Sequence, residues 1–144
     1  NIMREYWNNP DATQTALRDG WFHTGDIGHL DEQGFLYVDD RLQDVIISGG
    51  ENIYPAELEN VLADCELLAE FAVIGRADLR WGEVPVVIAV PHSPESFDPQ
   101  EVLTLFSGRL ARFKHPARVE VRASLPRNAM GKVLKYELRA AQAC

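Results

Sequence analysis

The spacing of hydrophobic positions shifts along the chain, and each shift predicts a different element. The opening residues 1–20 are polar, and Asp11 to Leu17 reads as a short helix. From Trp21 the pattern turns to short strands and tight turns. Gly28-His29-Leu30 and Phe35-Leu36-Tyr37-Val38 flank Asp31-Glu32-Gln33-Gly34, which predicts a hairpin with Gly34 where a positive φ is needed. Asp39 to Asp44 reads as a polar connector, and the apolar Val45-Ile46-Ile47 runs into the turn Ser48-Gly49-Gly50. Pro55 suits a first helical position. Leu58, Val61, Leu62 and Cys65 follow at spacings of three and four, so one helix face is buried. The runs Phe71 to Ile74 and Pro85 to Val90 read as buried strands. Asp98-Pro99-Gln100-Glu101 is a capping box, and the helix it opens aligns Val102, Leu105, Phe106 and Leu110. Val119 to Arg122 alternates like an edge strand. The order strand–helix–strand–strand–helix–strand predicts an α/β (α+β) fold: a small mixed three-stranded sheet flanked by helices, after a hairpin-rich first segment.

Composition narrows the class. With 144 residues, 46% hydrophobic and 25% charged, the chain is neither disordered nor of low complexity. A chain of about 150 residues hides roughly 68–70% of its unfolded surface, enough for a core. The longest apolar stretch, Val84 to Pro91, falls far short of the ~20 residues of a membrane helix, so no transmembrane segment is expected. No basic-then-apolar leader is visible. Cys65 and Cys144 make neither a disulfide framework nor a metal knuckle, which suits a reducing, cytoplasmic compartment. The first residue is Asn1 rather than Met, and the text starts mid-phrase, so a piece of something longer is expected.

Charge changes the picture again. The net charge of -8 argues against nucleic acid as a partner, but it averages two unlike parts. Residues 1–108 carry 5 basic and 20 acidic side chains, whereas 109–144 carry 9 basic and 2 acidic ones. A cationic segment on an acidic body suits a local anion site such as phosphate; a solvated helix face with a charged tail has the same composition.

Four stretches are able to carry chemistry, and each has a plainer alternative. Thr24-Gly25-Asp26 offers a carboxylate in a tight turn to a diol such as a ribose, or is only a turn. Asp40 to Asp44 and the run Ser48 to Glu59 contain a glycine pair that lets backbone approach a ligand, or simply turns a hairpin into a helix. Arg80-Trp81-Gly82-Glu83 and Phe113-Lys114-His115-Pro116 set aromatic rings among cations, as an adenine nucleotide would require, or cover the ends of a core. Leu125 to Leu134 places Lys132 after Gly131, free to reach a phosphoryl group or to stay a solvated lysine. The four histidines lack metal-ligand spacing, so no metal site is expected, and no Gly-x-Ser-x-Gly or cysteine nucleophile motif occurs.

Taken in order, these blocks resemble the C-terminal portion of the AMP-forming acyl-CoA synthetases, the adenylate-forming superfamily of acyl- and aryl-CoA ligases, adenylation domains and beetle luciferase. The resemblance runs through Trp-Phe-x-Thr-Gly-Asp (Trp21 to Asp26), Asp-Arg-x-x-Asp (Asp40 to Asp44), the run Ile47 to Glu59, and Leu-Pro-Arg-x-x-x-Gly-Lys-Val (Leu125 to Val133). It implies an acid–thiol ligase that forms acyl-AMP from ATP and a carboxylic acid, then acyl-CoA. By resemblance, residues 1–42 are the edge of a large N-terminal domain and 43–144 a small mobile domain after a hinge at Gln43, a position usually held by Asp or Lys. Asp26 and Arg41 would bind the ATP/AMP ribose, and Lys132 would be the catalytic cation between carboxylate and α-phosphate. Gly49 and Gly50 would line the pantetheine passage. Trp81 and Phe113 would hold the CoA adenine, with Lys114 and Arg118 at its phosphates; His115 and Ala117 stand where relatives are basic. ATP, Mg2+ and CoA are the implied cofactors, with Mg2+ held mainly by the N-terminal domain. That domain is the implied partner, and the chain alone is expected to be inactive. Two other readings stay in play: an adenylation domain that loads a carrier protein, and a stand-alone nucleotide- or polyanion-binding module built on residues 109–139.

Overall fold

The computed structural model describes residues 2–141, and the chain falls into two compact units, Asn1–Gln43 and Asp44–Cys144. In the first unit, helix α1 (Pro10–Ala16) starts where Asn9 Oδ1 accepts the Ala12 N–H at 3.0 Å, with Pro10 pre-set for the first turn. Two short strands, β1 (Leu17–Arg18) and β2 (Trp21–Phe22), pair antiparallel. The predicted hairpin is β3 (Asp26–Leu30) against β4 (Leu36–Arg41). Its turn carries Gly34 at φ 85°, and the Asp31 carboxylate accepts the Gln33 and Phe35 N–H groups. Strand β4 runs further than the pattern predicts. Asp39, Asp40 and Arg41 are not a connector, because Asp40 pairs with Ile27 and Arg41 with Asp26 beyond a bulge at Ile27/Gly28.

The second unit is built on one sheet. Its strands are β5 (Ile46–Ser48), β6 (Glu51–Ile53), β7 (Leu68–Asp78), β8 (Gly82–Pro91) and β9 (Arg118–Val121). Strand β8 is central, with β7 antiparallel along one side and β5 followed by parallel β9 along the other. The sheet is mixed as expected but has five strands rather than three, because the Gly49-Gly50 turn folds β5 onto β6 and Ser48 pairs with Gly82. Helix α2 (Pro55–Leu62) follows β6, α3 (Pro99–Thr104) joins β8 to β9, and α4 (Lys135–Ala140) ends the described chain. Asp98 caps α3 by accepting the Gln100 N–H at 2.9 Å.

The apolar runs of β7 and β8 are unbroken because both faces of the sheet are covered. Val73, Val87 and Ala89 face one way and pack with Leu58 and Leu62 of α2, Val102 of α3 and Phe106. Ala72, Ile74, Val86 and Ile88 face the other way and pack with Leu125 and Leu138 of α4. Val102 and Phe106 are fully buried although α3 stops at Thr104, since turns continue the predicted stripe to Leu110. Among the described residues, no helix is long and apolar enough to cross a membrane.

Candidate functional site

In the first unit, Asp26 and Arg41 face each other across the open end of the β3–β4 hairpin. Arg41 Nε lies 2.9 Å from Asp26 Oδ1, and the Asp26 N–H donates to Thr24 Oγ1 at 3.1 Å. Gly25 closes the turn, its carbonyl accepting the Leu42 N–H at 2.8 Å. Thr24, Gly25 and Asp26 line one wall of a cleft of about 670 Å³, whose other walls include Tyr6, Thr15 and His23. A carboxylate oriented by an arginine and half open to solvent is able to accept hydrogen bonds from a diol.

The second unit brings together residues far apart in sequence at the β7–β8 turn. Gly49, Trp81 and Phe113 line a single cleft of about 330 Å³, with Ser48, Glu51, Arg112 and His115. The turn geometry holds Trp81 in place: Asp78 Oδ1 accepts the N–H groups of Arg80 and Trp81 at 2.8 and 2.9 Å, and the Trp81 carbonyl accepts the Gly49 N–H at 2.8 Å. The Arg80 guanidinium lies 4.7 Å from the centre of the Trp81 ring. Gly49 is required here, because a Cβ on it would stand 2.9 Å from Trp81 Cε3 and its φ is 60°. Trp81 and Phe113 remain 47% and 51% exposed, too open for rings whose only task is to close a core.

Lys132 stands at the tip of a small closed loop. Arg127 bridges to Val133, and Asn128 Oδ1 accepts the Met130 and Lys132 N–H groups at 3.0 and 2.9 Å. The Asn128 N–H returns to the Lys132 carbonyl at 2.9 Å, and Gly131 turns at φ 81°. Arg127 fastens the loop to the sheet through Glu70 on β7 and donates to the Gly131 carbonyl at 2.6 Å. The loop's side chains lock its backbone and leave Lys132 exposed. Glu70, under this loop, and Asp78, beside the aromatic cleft, sit about eight residues apart on β7, on the order of 26 Å of strand. Lys132 and the aromatic cleft thus lie toward opposite ends of the sheet.

Not every candidate is free to meet a ligand. Lys114 Nζ is held by both oxygens of Glu57 at 2.7 and 2.8 Å, and it packs 5.9 Å from the Phe113 ring. Arg118 is held by Glu120 at 2.7 Å and does not line the cleft. Gly50, at φ 89°, turns the hairpin, and a Cβ on it would meet nothing within 4 Å. Gln43 is the last residue of the first unit, and Asp44 behind it pairs with Arg139 of α4 at 2.9 Å. The sequence pattern missed Arg112, Asp78 and the paired carboxylates Glu57 and Glu59; Glu59 accepts the Val73 N–H and the Lys135 ammonium. Asp78 had a local signal, an Asp three residues before an aromatic in a turn, whereas the partners of Glu57 and Glu59 are remote in sequence. Among the described residues no group of three His, Cys, Asp or Glu side chains is placed to hold a metal ion.

The fold is shared with solved CoA synthetases. A solved o-succinylbenzoate CoA synthetase from Bacillus subtilis, in complex with its acyl-adenylate intermediate, superposes with a TM-score of 0.87 at 45% identity, over 99% of this chain and 29% of that one. The synthetase solved with ATP and magnesium ion gives 0.84 at 46% identity, over 96% of this chain and 28% of that one. Residues 57–132 match the model of the AMP-binding enzyme C-terminal domain, and the chain belongs to that family. It is also 52% identical over 139 residues to an indoleacetate–CoA ligase of Aromatoleum aromaticum, covering 96% of this chain and 27% of the relative. The chain therefore spans little more than a quarter of the length of such relatives.

Proposed function

We propose that the chain is the C-terminal portion of an AMP-forming carboxylate–CoA ligase. Residues 1–42 form the edge of a large adenylating domain, and 43–144 form a small domain that turns about Gln43. In the first half-reaction a carboxylate oxygen attacks the α-phosphorus of ATP, the bond to pyrophosphate breaks, and acyl-AMP forms. In the second, the CoA thiol gives up its proton, its sulfur attacks the acyl carbon, and AMP leaves. Asp26, oriented by Arg41, holds the ribose hydroxyls. Lys132 supplies a fixed positive charge where negative charge builds up between the carboxylate and the α-phosphate. Gly49 and Gly50 give the pantetheine arm a passage, and Trp81 and Phe113 stack on the CoA adenine. Mg2+ would be held mainly by the large domain, since the described residues gather no group of three His, Cys, Asp or Glu side chains for it. The free Cys65 suits a cytoplasmic place for the enzyme.

The observation that carries this reading is the separation of Lys132 from the aromatic cleft along β7. One small domain with a cation toward one end and an aromatic cleft at the other suits two half-reactions served in turn. The acids in the relatives' names, indoleacetate and o-succinylbenzoate, differ widely. In the complete enzyme, Lys132→Ala is expected to slow acyl-adenylate formation by about 100-fold or more, while thioester formation from supplied acyl-adenylate keeps most of its rate. Equal loss in both steps would sink the assignment. An acceptor assay with free CoA and carrier protein completes the test, because transfer to carrier protein alone would replace CoA as the acceptor.

A further inference from the structure

We infer that Arg112 reads the 3′-phosphate of CoA, and so sets the preference of the aromatic cleft for CoA over its dephosphorylated form. The inference rests on the CoA reading of that cleft. Two rings stack on any adenine, so Trp81 and Phe113 by themselves do not tell a phosphorylated adenosine from an unphosphorylated one. Discrimination needs an uncommitted cation beside them. Lys114 is spent on Glu57 and Arg118 on Glu120, while His115 Nε2 lies 3.0 Å from the Leu110 carbonyl. The Arg80 guanidinium lies over Trp81.

Arg112 is different. It lines the cleft next to Phe113, is exposed, and has no carboxylate partner among the described residues. A free guanidinium offers a planar fork of donors that fits two phosphate oxygens at once. The single turn Arg112–Lys114 carries both Arg112 and Phe113, and the Glu57–Lys114 pair ties that turn to α2. The fork is therefore held in register with the ring that stacks on the base. The cleft's carboxylate, Glu51, repels a phosphate and so favours its placement toward Arg112.

The test uses the complete enzyme with CoA and dephospho-CoA as alternative acceptors. Arg112→Gln is expected to raise KM for CoA about tenfold while moving KM for dephospho-CoA less than twofold, which erases the wild-type preference. Arg112→Lys is expected to restore part of it, because an ammonium keeps the charge and loses the fork. Equal increases for both acceptors would place Arg112 elsewhere on the molecule's diphosphate, and no change in either would remove it from the site. Both results overturn the inference. Trp81→Ala separates the two levels of argument. If it leaves KM for both acceptors unchanged, the CoA reading of the cleft fails; if it raises both while Arg112→Gln shows no selectivity, only the present inference fails.

Discussion

Gly49 and Gly50 are neighbours with positive φ, 60° and 89°, but a side chain at each meets a different environment. A Cβ at Gly50 would meet nothing within 4 Å, whereas one at Gly49 would press on Trp81 at 2.9 and 3.2 Å. Gly50→Ala is therefore expected to cost only the left-handed backbone penalty, about 1–2 kcal/mol in thermal or denaturant unfolding. Gly49→Ala carries a comparable penalty and also displaces the indole, so KM for CoA should rise several-fold in the complete enzyme. Steady-state kinetics of the two variants side by side checks this, and equal KM values would show that the Trp81 contact does not matter. The glycine pair was plain in the sequence, but which glycine touches the indole was not. That depends on Ser48 pairing with Gly82, a contact across more than thirty residues.

At the scale of elements, β9 is held by charge as well as by its ladder to β8. Glu120 projects from it, only 10% exposed, and accepts from Arg76 at 2.9 Å and from Arg118 at 2.7 Å. Burial pushes its carboxyl toward higher pKa, but hydrogen bonds from Arg76 and Arg118, with their charges, outweigh that and hold it below the usual carboxylate range. The folded pKa thus lies below the unfolded one, so ionised Glu120 contributes stability above the unfolded value. That contribution is lost as pH falls through the folded value. Glu120→Gln is expected to cost about 1–3 kcal/mol near neutral pH and nearly nothing once the wild-type carboxyl is protonated. Unfolding of both proteins from pH 7 to pH 3 checks it; a difference independent of pH would show the charge to be irrelevant. Elements set by local periodicity, such as α2, α3 and the two long strands, were legible from the residues alone. The extension of β4, the five-strand count and helix α4 were not. The first two depend on pairing partners distant in sequence, and the last packs essentially one buried residue, Leu138, too little for a periodic signal.

At the scale of the whole molecule, the charge asymmetry changes its meaning. Of the nine cations in 109–144, six pair with carboxylates: Lys114, Arg118, Arg122, Arg127, Lys135 and Arg139. Lys114, Arg127, Lys135 and Arg139 fasten the basic segment to the acidic body, while Arg118 and Arg122 share Glu120 within the segment itself. Arg109 reaches the Val61 carbonyl, and Arg112 and Lys132 have no carboxylate partner among the described residues. Composition showed the excess charge, but only the fold separates the structural cations from those available to phosphate. The chain's proposed ATP contacts in the first unit are Asp26 and Arg41, with side chains 31% and 48% exposed. Exposed polar contacts of this kind are worth about 1 kcal/mol each at most, while even a millimolar Kd needs about 4 kcal/mol. The 144-residue chain, little more than a quarter of its relatives' length, is therefore expected to bind ATP more weakly than millimolar and to release no pyrophosphate with any carboxylate. Titration calorimetry and a coupled pyrophosphate assay on the purified chain measure both quantities. Turnover by the chain alone would mean that these residues hold a complete adenylation site, and would overturn the proposed division of labour between a large domain and a small one turning about Gln43.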